Sequence, residues 1–273
     1  LLPWDSKKQG EIKKAGIYTL DIERENTEKI KNFAREQKVA LASVLYAAWG
    51  ILLQRYNNSE DVLFGTTVSG RTAKIKGIEN MVGLFINTPP LRVRSQAREK
   101  VSDLLNEVEK SLRDRGPYED TPLTDIKSLS SMDNKESLFD SIMVIENYPI
   151  DKQMMNKDSC LAIESFSMSE MTNFDIAVAV SVFDGMELKF IYNSDVFLQA
   201  TIERMAGQLI NIINCMIENP CIEVSKIDIL SKDERDEILY RYNNTDTTYP
   251  KSKTLSLLFE EQVQRLRTIL PLF

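Results

Sequence analysis

Residues 61–93, DVLFGTTVSGRTAKIKGIENMVGLFINTPPLRV, constrain the fold more than any other stretch of this chain. The run reads as a strand over 61–70 and a turn-rich loop through Gly70, Arg71 and Gly77. A return through Gly83-Leu84-Phe85-Ile86-Asn87-Thr88 then leads into a second strand ending near Arg94. A second fact limits the chemistry. The chain contains no histidine, so no reaction that needs an imidazole base is complete within it.

The flanks alternate strand and helix. Ile17 to Ile22 has the period-two alternation of a strand. From Thr27 a helix is predicted, with Ile30, Phe33, Ala34 and Gln37 on one face. A helix over 41–56 follows. Val44, Leu45, Ala48, Trp49, Leu52 and Leu53 give it a wide apolar face, which predicts deep burial. After Arg94, Val101, Leu104, Leu105, Val108 and Leu112 mark another amphipathic helix, stopped by Gly116-Pro117. Residues 117–137 read as loop with a helical turn at 123–126. Strands are predicted over 139–146, 161–168, 174–183 and 186–192, with Asn147-Tyr148-Pro149 breaking the first. Asp184-Gly185 joins the last two and is a strong hairpin signal. A helix over 198–218 ends at Asn219-Pro220. Mixing over residues 15–219 predicts one α/β layer structure, and the hairpin makes its β-sheet mixed rather than parallel. The tail differs. Ser231-Lys232-Asp233-Glu234 is a capping box opening a short helix, residues 243–248 are polar linker, and 254–264 predicts a last helix.

Composition excludes several functions. A net charge of −7 with no basic stripe argues against a nucleic-acid binder. The cysteines Cys160, Cys215 and Cys221 are odd in number and form no Cys-x-x-Cys. Zinc binding and a disulfide framework are therefore not expected, and reduced cytoplasmic thiols are. The longest apolar run, near 44–53, is far short of a membrane span. Leu1 opens no basic n-region, so no secretory signal is expected, and the missing initiator Met suggests a piece of a longer chain.

Candidate chemistry is sparse. Gly65-Thr66-Thr67-Val68-Ser69-Gly70-Arg71 lacks the lysine and Ser/Thr that a phosphate loop carries after its last glycine. Asp175, Asp184 and Asp195 stand at strand ends or turns, where backbone reasons suffice. Met154, Met155, Met168 and Met171 suit a loop packed on a core better than a greasy groove. Ser69 or Cys160 as nucleophile lacks an activating base. The residues alone therefore assign no catalytic group and no metal ligand.

The run Glu60-Asp61-Val62, Phe64 to Arg71, Gly77-Ile78-Glu79-Asn80-Met81-Val82-Gly83 and Leu84 to Thr88 resembles the condensation domains of nonribosomal peptide synthetases. The resemblance extends to Leu2-Pro3-x-Asp5, to Leu138-Phe139-Asp140-Ser141 through Glu146-Asn147-Tyr148-Pro149, and to Phe183 to Leu188 with Ile191-Tyr192-Asn193. Tyr118-Glu119-Asp120-Thr121-Pro122-Leu123 stands where the family carries a better-defined motif. Beyond Leu230, Tyr242-Asn243-x-Thr245, Tyr249-Pro250 and Leu258 to Val263 resemble the linker into an adenylation domain.

The resemblance implies a chloramphenicol-acetyltransferase-like lobe over 1–229, a partly helical linker tail over 230–265, and a distinct tail over 266–273. Deleting one A from codons for Gln-Arg-Thr-Pro-Asp-Asn-Ile-Ala-Val-Val and the T that follows them gives codons for Gln-Arg-Leu-Arg-Thr-Ile-Leu-Pro-Leu-Phe, the sequence of residues 264–273. Residues 266–273 are therefore expected to be out of frame and to specify no fold of their own.

In the intact family domain two lobes join carrier-bound acyl or peptidyl and aminoacyl thioesters, using His-His-x-x-x-Asp-Gly in the first lobe. This chain lacks that motif and is expected to be inactive alone. The resemblance implies that Asn87 lines the substrate tunnel, with Gly83, Phe85 and Thr88 shaping its wall. Only one of Phe85 and Ile86 can face it. Arg71 and Glu79 are expected to fix the loop by pairing, and part of 147–175 to reach across to the other lobe. No cofactor is expected to bind directly beyond the phosphopantetheine arms of peptidyl carrier domains. Implied partners are those carriers, the N-terminal condensation lobe and an adenylation domain, with no nucleic acid and no membrane. A severed lobe is also expected to self-associate through its uncovered face. The alternative is a non-catalytic remnant that docks carriers or another protein.

Overall fold

The structure, a computed structural model, describes residues 14–71, 75–96, 98–130, 137–146, 173–248 and 252–269; within these, the side chains of Glu79 and residues 267–269 lie outside the description. The chain forms two compact units, Leu1–Ser231 and Lys232–Phe273.

Among the described residues, the first unit is built on a six-stranded sheet. Its strands are β1 (Ala15–Ile22), β2 (Asp61–Thr66), β3 (Pro90–Arg94), β4 (Ser141–Glu146), β5 (Ile176–Val182) and β6 (Met186–Asn193). Their order is β1-β6-β5-β4-β2-β3. β4 runs parallel to β2 and β5, and the remaining pairs are antiparallel, so the sheet is mixed as expected. β5, IAVAVSV, lies inside the sheet and is buried on both faces from Ile176 to Ser181, which explains its unbroken run of small and branched apolar residues. β1 lies at an edge and alternates exposed with half-buried positions.

The β5–β6 connection falls at Asp184-Gly185, as predicted, but for a different reason. Gly185 does not take the left-handed backbone of a two-residue hairpin turn. A Cβ there would sit 2.6 Å from the carbonyl oxygen of Ile22, so glycine is required by the close passage of the end of β1.

The helices of this unit are α1 (Arg24–Glu36), α2 (Leu41–Asn57), α3 (Val101–Arg115), α4 (Leu123–Ser128) and α5 (Gln199–Glu218). α2 is buried without a break from Ser43 to Gln54, more completely than its apolar face alone predicts. It packs against α1, α3 and α5 as well as β2 and β3, leaving no side open to water. Gln54 reconciles this burial with a polar group. Its amide donates to the carbonyls of Glu60 (3.0 Å) and Val93 (3.2 Å) and accepts from Ser95 (2.9 Å), tying the end of α2 to β3.

The start of α2 is capped from a distance. Ala40, at the N-cap position, has no side-chain oxygen to offer. Glu109 of α3 replaces it, accepting from the Ala40 N–H at 2.9 Å and the Ser43 hydroxyl at 2.6 Å. The Ser43 hydroxyl first, then the Ala40 N–H, hold the Glu109 carboxyl below the ordinary carboxylate range. These bonds favour the ionised form, so their stabilisation is present above the ordinary carboxylate pKa and is lost as pH falls through the depressed folded value. Glu109→Gln is therefore expected to cost about 1 kcal/mol at neutral pH. The gap should close once both proteins are acidified below that range, as urea titrations at neutral and acid pH would show.

The second unit contains α6 (Lys232–Asp236), a π-helical turn over Glu237–Arg241, and α7 (Leu255–Ile269). α7 extends past the predicted 254–264 and carries the first four residues of the expected out-of-frame tail, 266–269, in helix. Ile238, Leu239, Tyr240, Tyr242, Leu255 and Phe259 are exposed on this unit. Several sequence expectations lie outside the described residues: Cys160, the methionines Met154, Met155, Met168 and Met171, the strand over 161–168, the break at 147–149, and nearly all of the crossing segment over 147–175.

Candidate functional site

The 61–93 stretch does not form two long strands. β2 stops at Thr66 and β3 begins only at Pro90. Between them, Val68 and Asn87 form an isolated bridge, Val68 N–H to Asn87 O at 2.9 Å and Asn87 N–H to Val68 O at 3.2 Å. The register is that of the β2–β3 ladder, since Val68 lies three residues beyond Gly65 and Asn87 three before its partner Pro90. Pro89 falls in the gap and has no N–H to continue the ladder, which is why the predicted strands are broken here.

Beyond the bridge the chain turns at Gly70, whose φ is +63°. Its backbone lies directly against Phe85, and a Cβ at this position would sit 1.7 Å from the Phe85 carbonyl oxygen. Arg71 then closes the loop. Its guanidinium donates to the carbonyls of Ile78 and Met81, the latter at 3.0 Å, and lies 4.5 Å over the Phe85 ring. Arg71 thus fixes the loop through backbone carbonyls and a ring. The side chain of Glu79, its expected partner, lies outside the described ones.

The strip from Met81 to Thr88 sorts by side. Phe85 is half-buried beneath Arg71, whereas Ile86 is exposed. Gly83 is exposed, and Val82 and Leu84 stand free at 103% and 92% exposure, so the strip presents apolar side chains that no described residue covers. Thr88 is half-buried against Gly65, and its N–H donates to Asn87 Oδ1 at 2.9 Å. The Asn87 amide nitrogen donates to two carbonyls of the segment after α3, Glu119 O at 2.7 Å and Thr121 O at 2.9 Å.

A partly buried polar cluster supports that segment, and sequence reasoning missed most of it. Arg115, the last residue of α3, donates to Thr66 Oγ1 at 2.5 Å and pairs with Glu119 at 3.7 Å. Its Nε is buried without a hydrogen-bond partner among the described residues. Burial pushes the guanidinium's pKa down, opposed by the nearby Glu119 carboxylate. Tyr46 of α2 is buried beside the pair, its ring 6.1 Å from that of Phe64, and burial pushes its hydroxyl up to about 12. Only Glu119 had a sequence signal, through the degenerate run 118–123. Arg115 looks like an ordinary basic residue in the last turn of a helix.

The site therefore offers a braced loop, an apolar strip and a carboxylate–guanidinium pair, and the chain has no imidazole to act as general base. Among the described residues no cluster of Cys, Asp and Glu could hold a metal, and no single helix is long and apolar enough to cross a membrane.

Comparison with known proteins agrees with this architecture. The family model of the condensation domain matches residues 1–239. A mycosubtilin synthase polypeptide of Bacillus subtilis is 43% identical over 242 residues, which cover 88% of this chain and 9% of that protein. Tyrocidine synthase 2 of Brevibacillus parabrevis is 36% identical over 252 residues, covering 91% of this chain and 7% of the other. This chain thus spans under a tenth of the length of either relative. Among solved structures, a four-domain nonribosomal peptide synthetase bound to AMP and glycine superposes with a TM-score of 0.79 at 17% identity, covering 96% of this chain and 21% of the other. The first condensation domain of the CDA synthetase does so with a TM-score of 0.66 at 16% identity, covering 82% and 49%. The mixed sheet with packed helices is the chloramphenicol-acetyltransferase-like fold these structures share. Family profile, sequence identity and fold agree across almost the whole first unit, and the chain belongs to the condensation-domain family of nonribosomal peptide synthetases.

Proposed function

We propose that this chain is the second lobe of a condensation domain and supplies one wall of the channel in which an amide bond forms. In that reaction the amine of a carrier-bound aminoacyl thioester attacks the carbonyl carbon of an upstream acyl or peptidyl thioester. A C–N bond forms, the C–S bond breaks, the amine loses a proton and the upstream thiol is released. The carrying observation is a conjunction. The chain matches the family over residues 1–239 and aligns with about half of a solved condensation domain, yet it contains no histidine. The base that positions or deprotonates the amine must then come from a partner lobe bearing His-His-x-x-x-Asp-Gly. Positioning and acid–base assistance are worth several orders of magnitude in rate, so the chain alone is inactive.

The further partners follow from the same reading. Two peptidyl carrier domains present their phosphopantetheine arms, and residues 230–265 lead towards an adenylation domain. The exposed strip of Val82, Leu84 and Ile86 supports a face that a partner lobe covers. Sedimentation of the chain with a separately expressed histidine-bearing lobe tests this. The expected result is self-association of the chain alone, replaced by a one-to-one complex when the lobe is added. A chain that stays monomeric and ignores such lobes contradicts it.

A further inference from the structure

The segment after α3 is held in an unusual way. None of residues 116–130 is buried, and Tyr118 and Leu129 stand largely in solvent. Its main apolar tie is Leu123, half-buried against the small cluster of Phe139, Ile142, Ala177 and Ile191. The rest of the attachment is polar and converges on Asn87. Both N–H groups of an asparagine amide can donate, and here the nitrogen serves two carbonyls, Glu119 O and Thr121 O. The amide oxygen takes the Thr88 N–H, while the Asn87 backbone is bonded in both directions to Val68. Arg115 adds a second tie from below through Glu119, at the longer distance of 3.7 Å.

We infer that Asn87 is a positioning residue: its amide clamps the 116–122 segment onto the Val68–Asn87 bridge and so shapes the wall of the site, instead of contacting the tethered substrates. The donor capacity of the amide is used up within the protein, leaving at most a lone pair on Oδ1 for anything else. An element with so little buried apolar surface opens locally at low cost, so its position depends on the clamp. What the segment serves rests on the channel reading above. The clamp itself rests only on the hydrogen bonds.

Asn87→Asp is the discriminating change. It keeps the size and the oxygen that Thr88 uses, removes both donors, and turns a carboxylate towards two carbonyls. Losing two hydrogen bonds, at roughly a factor of five or more each, should speed amide hydrogen exchange over 116–130 by about 30-fold. Exchange in β5 and β6 should not change. Asn87→Ala, which removes the donors without adding charge, should loosen the same segment and covers the case in which the Asp variant does not fold. In a reconstituted pair of lobes, Asn87→Asp should lower kcat by at least about 10-fold through misplacement of the wall, with KM for the aminoacyl carrier within about 2-fold. Unchanged exchange over 116–130 in both variants overturns the clamp. So does an increase spread equally over β5 and β6. Loosening of 116–130 in a system where even the unsubstituted lobes form no amide upholds the clamp and removes the channel reading.

Discussion

Gly70→Ala is expected to destabilise the chain by about 3 kcal/mol, a large effect for a single methyl on a loop. Left-handed backbone costs a non-glycine residue about 1 kcal/mol, and Gly70 has φ +63°. The steric part is larger. The new Cβ would lie 1.7 Å from the Phe85 carbonyl oxygen, and backbone cannot yield as a flexible side chain can. Relief requires the 83–88 strip to move away, which breaks the paired hydrogen bonds between Val68 and Asn87, worth about 1 kcal/mol each. Gly77 provides the control. Its φ is +82°, but a Cβ there meets no described atom within 4 Å, so Gly77→Ala should cost only the backbone strain, about 1 kcal/mol. Urea unfolding of both variants separates the two contributions. Equal losses at the two positions would show that the contact with Phe85 carries no energy.

Trp49→Ala is expected to cost about 4 kcal/mol, in the range for truncating a large buried aromatic. Trp49 is fully buried in the middle of α2, with its ring 6.4 Å from Phe190 of β6, so it joins the buried helix to the sheet. A cavity there would open between elements that cannot close over it. Trp49→Phe should behave differently. The indole Nε1 is buried without a hydrogen-bond partner among the described residues, a state that costs on the order of 1–3 kcal/mol. Phenylalanine gives up some packing but removes that unpaired group, so the net loss should be only about 1 kcal/mol. Thermal or urea denaturation followed by far-UV circular dichroism decides. If Trp49→Phe costs as much as Trp49→Ala, the indole N–H is contributing to stability after all.

The sequence announced elements well where a single period dominates. α1, α2, α3 and α5 were legible from apolar spacing, and the β5–β6 pair from Asp184-Gly185. It was less informative wherever tertiary contact overrides local pattern. The strand predicted over 61–70 ends early because Pro89, far along the chain, cannot supply an N–H to its partner. Gly185 is dictated by the passage of Ile22, a residue distant in sequence. In the site, Asn87 and Arg71 were legible as residues but their partners were not. Their hydrogen bonds go to backbone carbonyls of Glu119, Thr121, Ile78 and Met81, and a carbonyl carries no residue signature. Arg115 and Tyr46 were invisible for a related reason. A helix-terminal arginine and a tyrosine on an apolar helix are ordinary until the fold brings them beside each other.

The claim that this chain contributes a wall, and a partner lobe the base, is tested most directly by measuring amide formation between carrier-bound thioesters. Three samples suffice: this chain, a lobe bearing His-His-x-x-x-Asp-Gly, and their mixture, with product on the downstream carrier followed by intact-protein mass spectrometry. The expected result is no product above background from either lobe alone and steady product from the mixture, abolished when the second histidine of that motif is replaced by alanine. Product from this histidine-free chain alone, or none from a mixture shown to form a complex, would contradict the account.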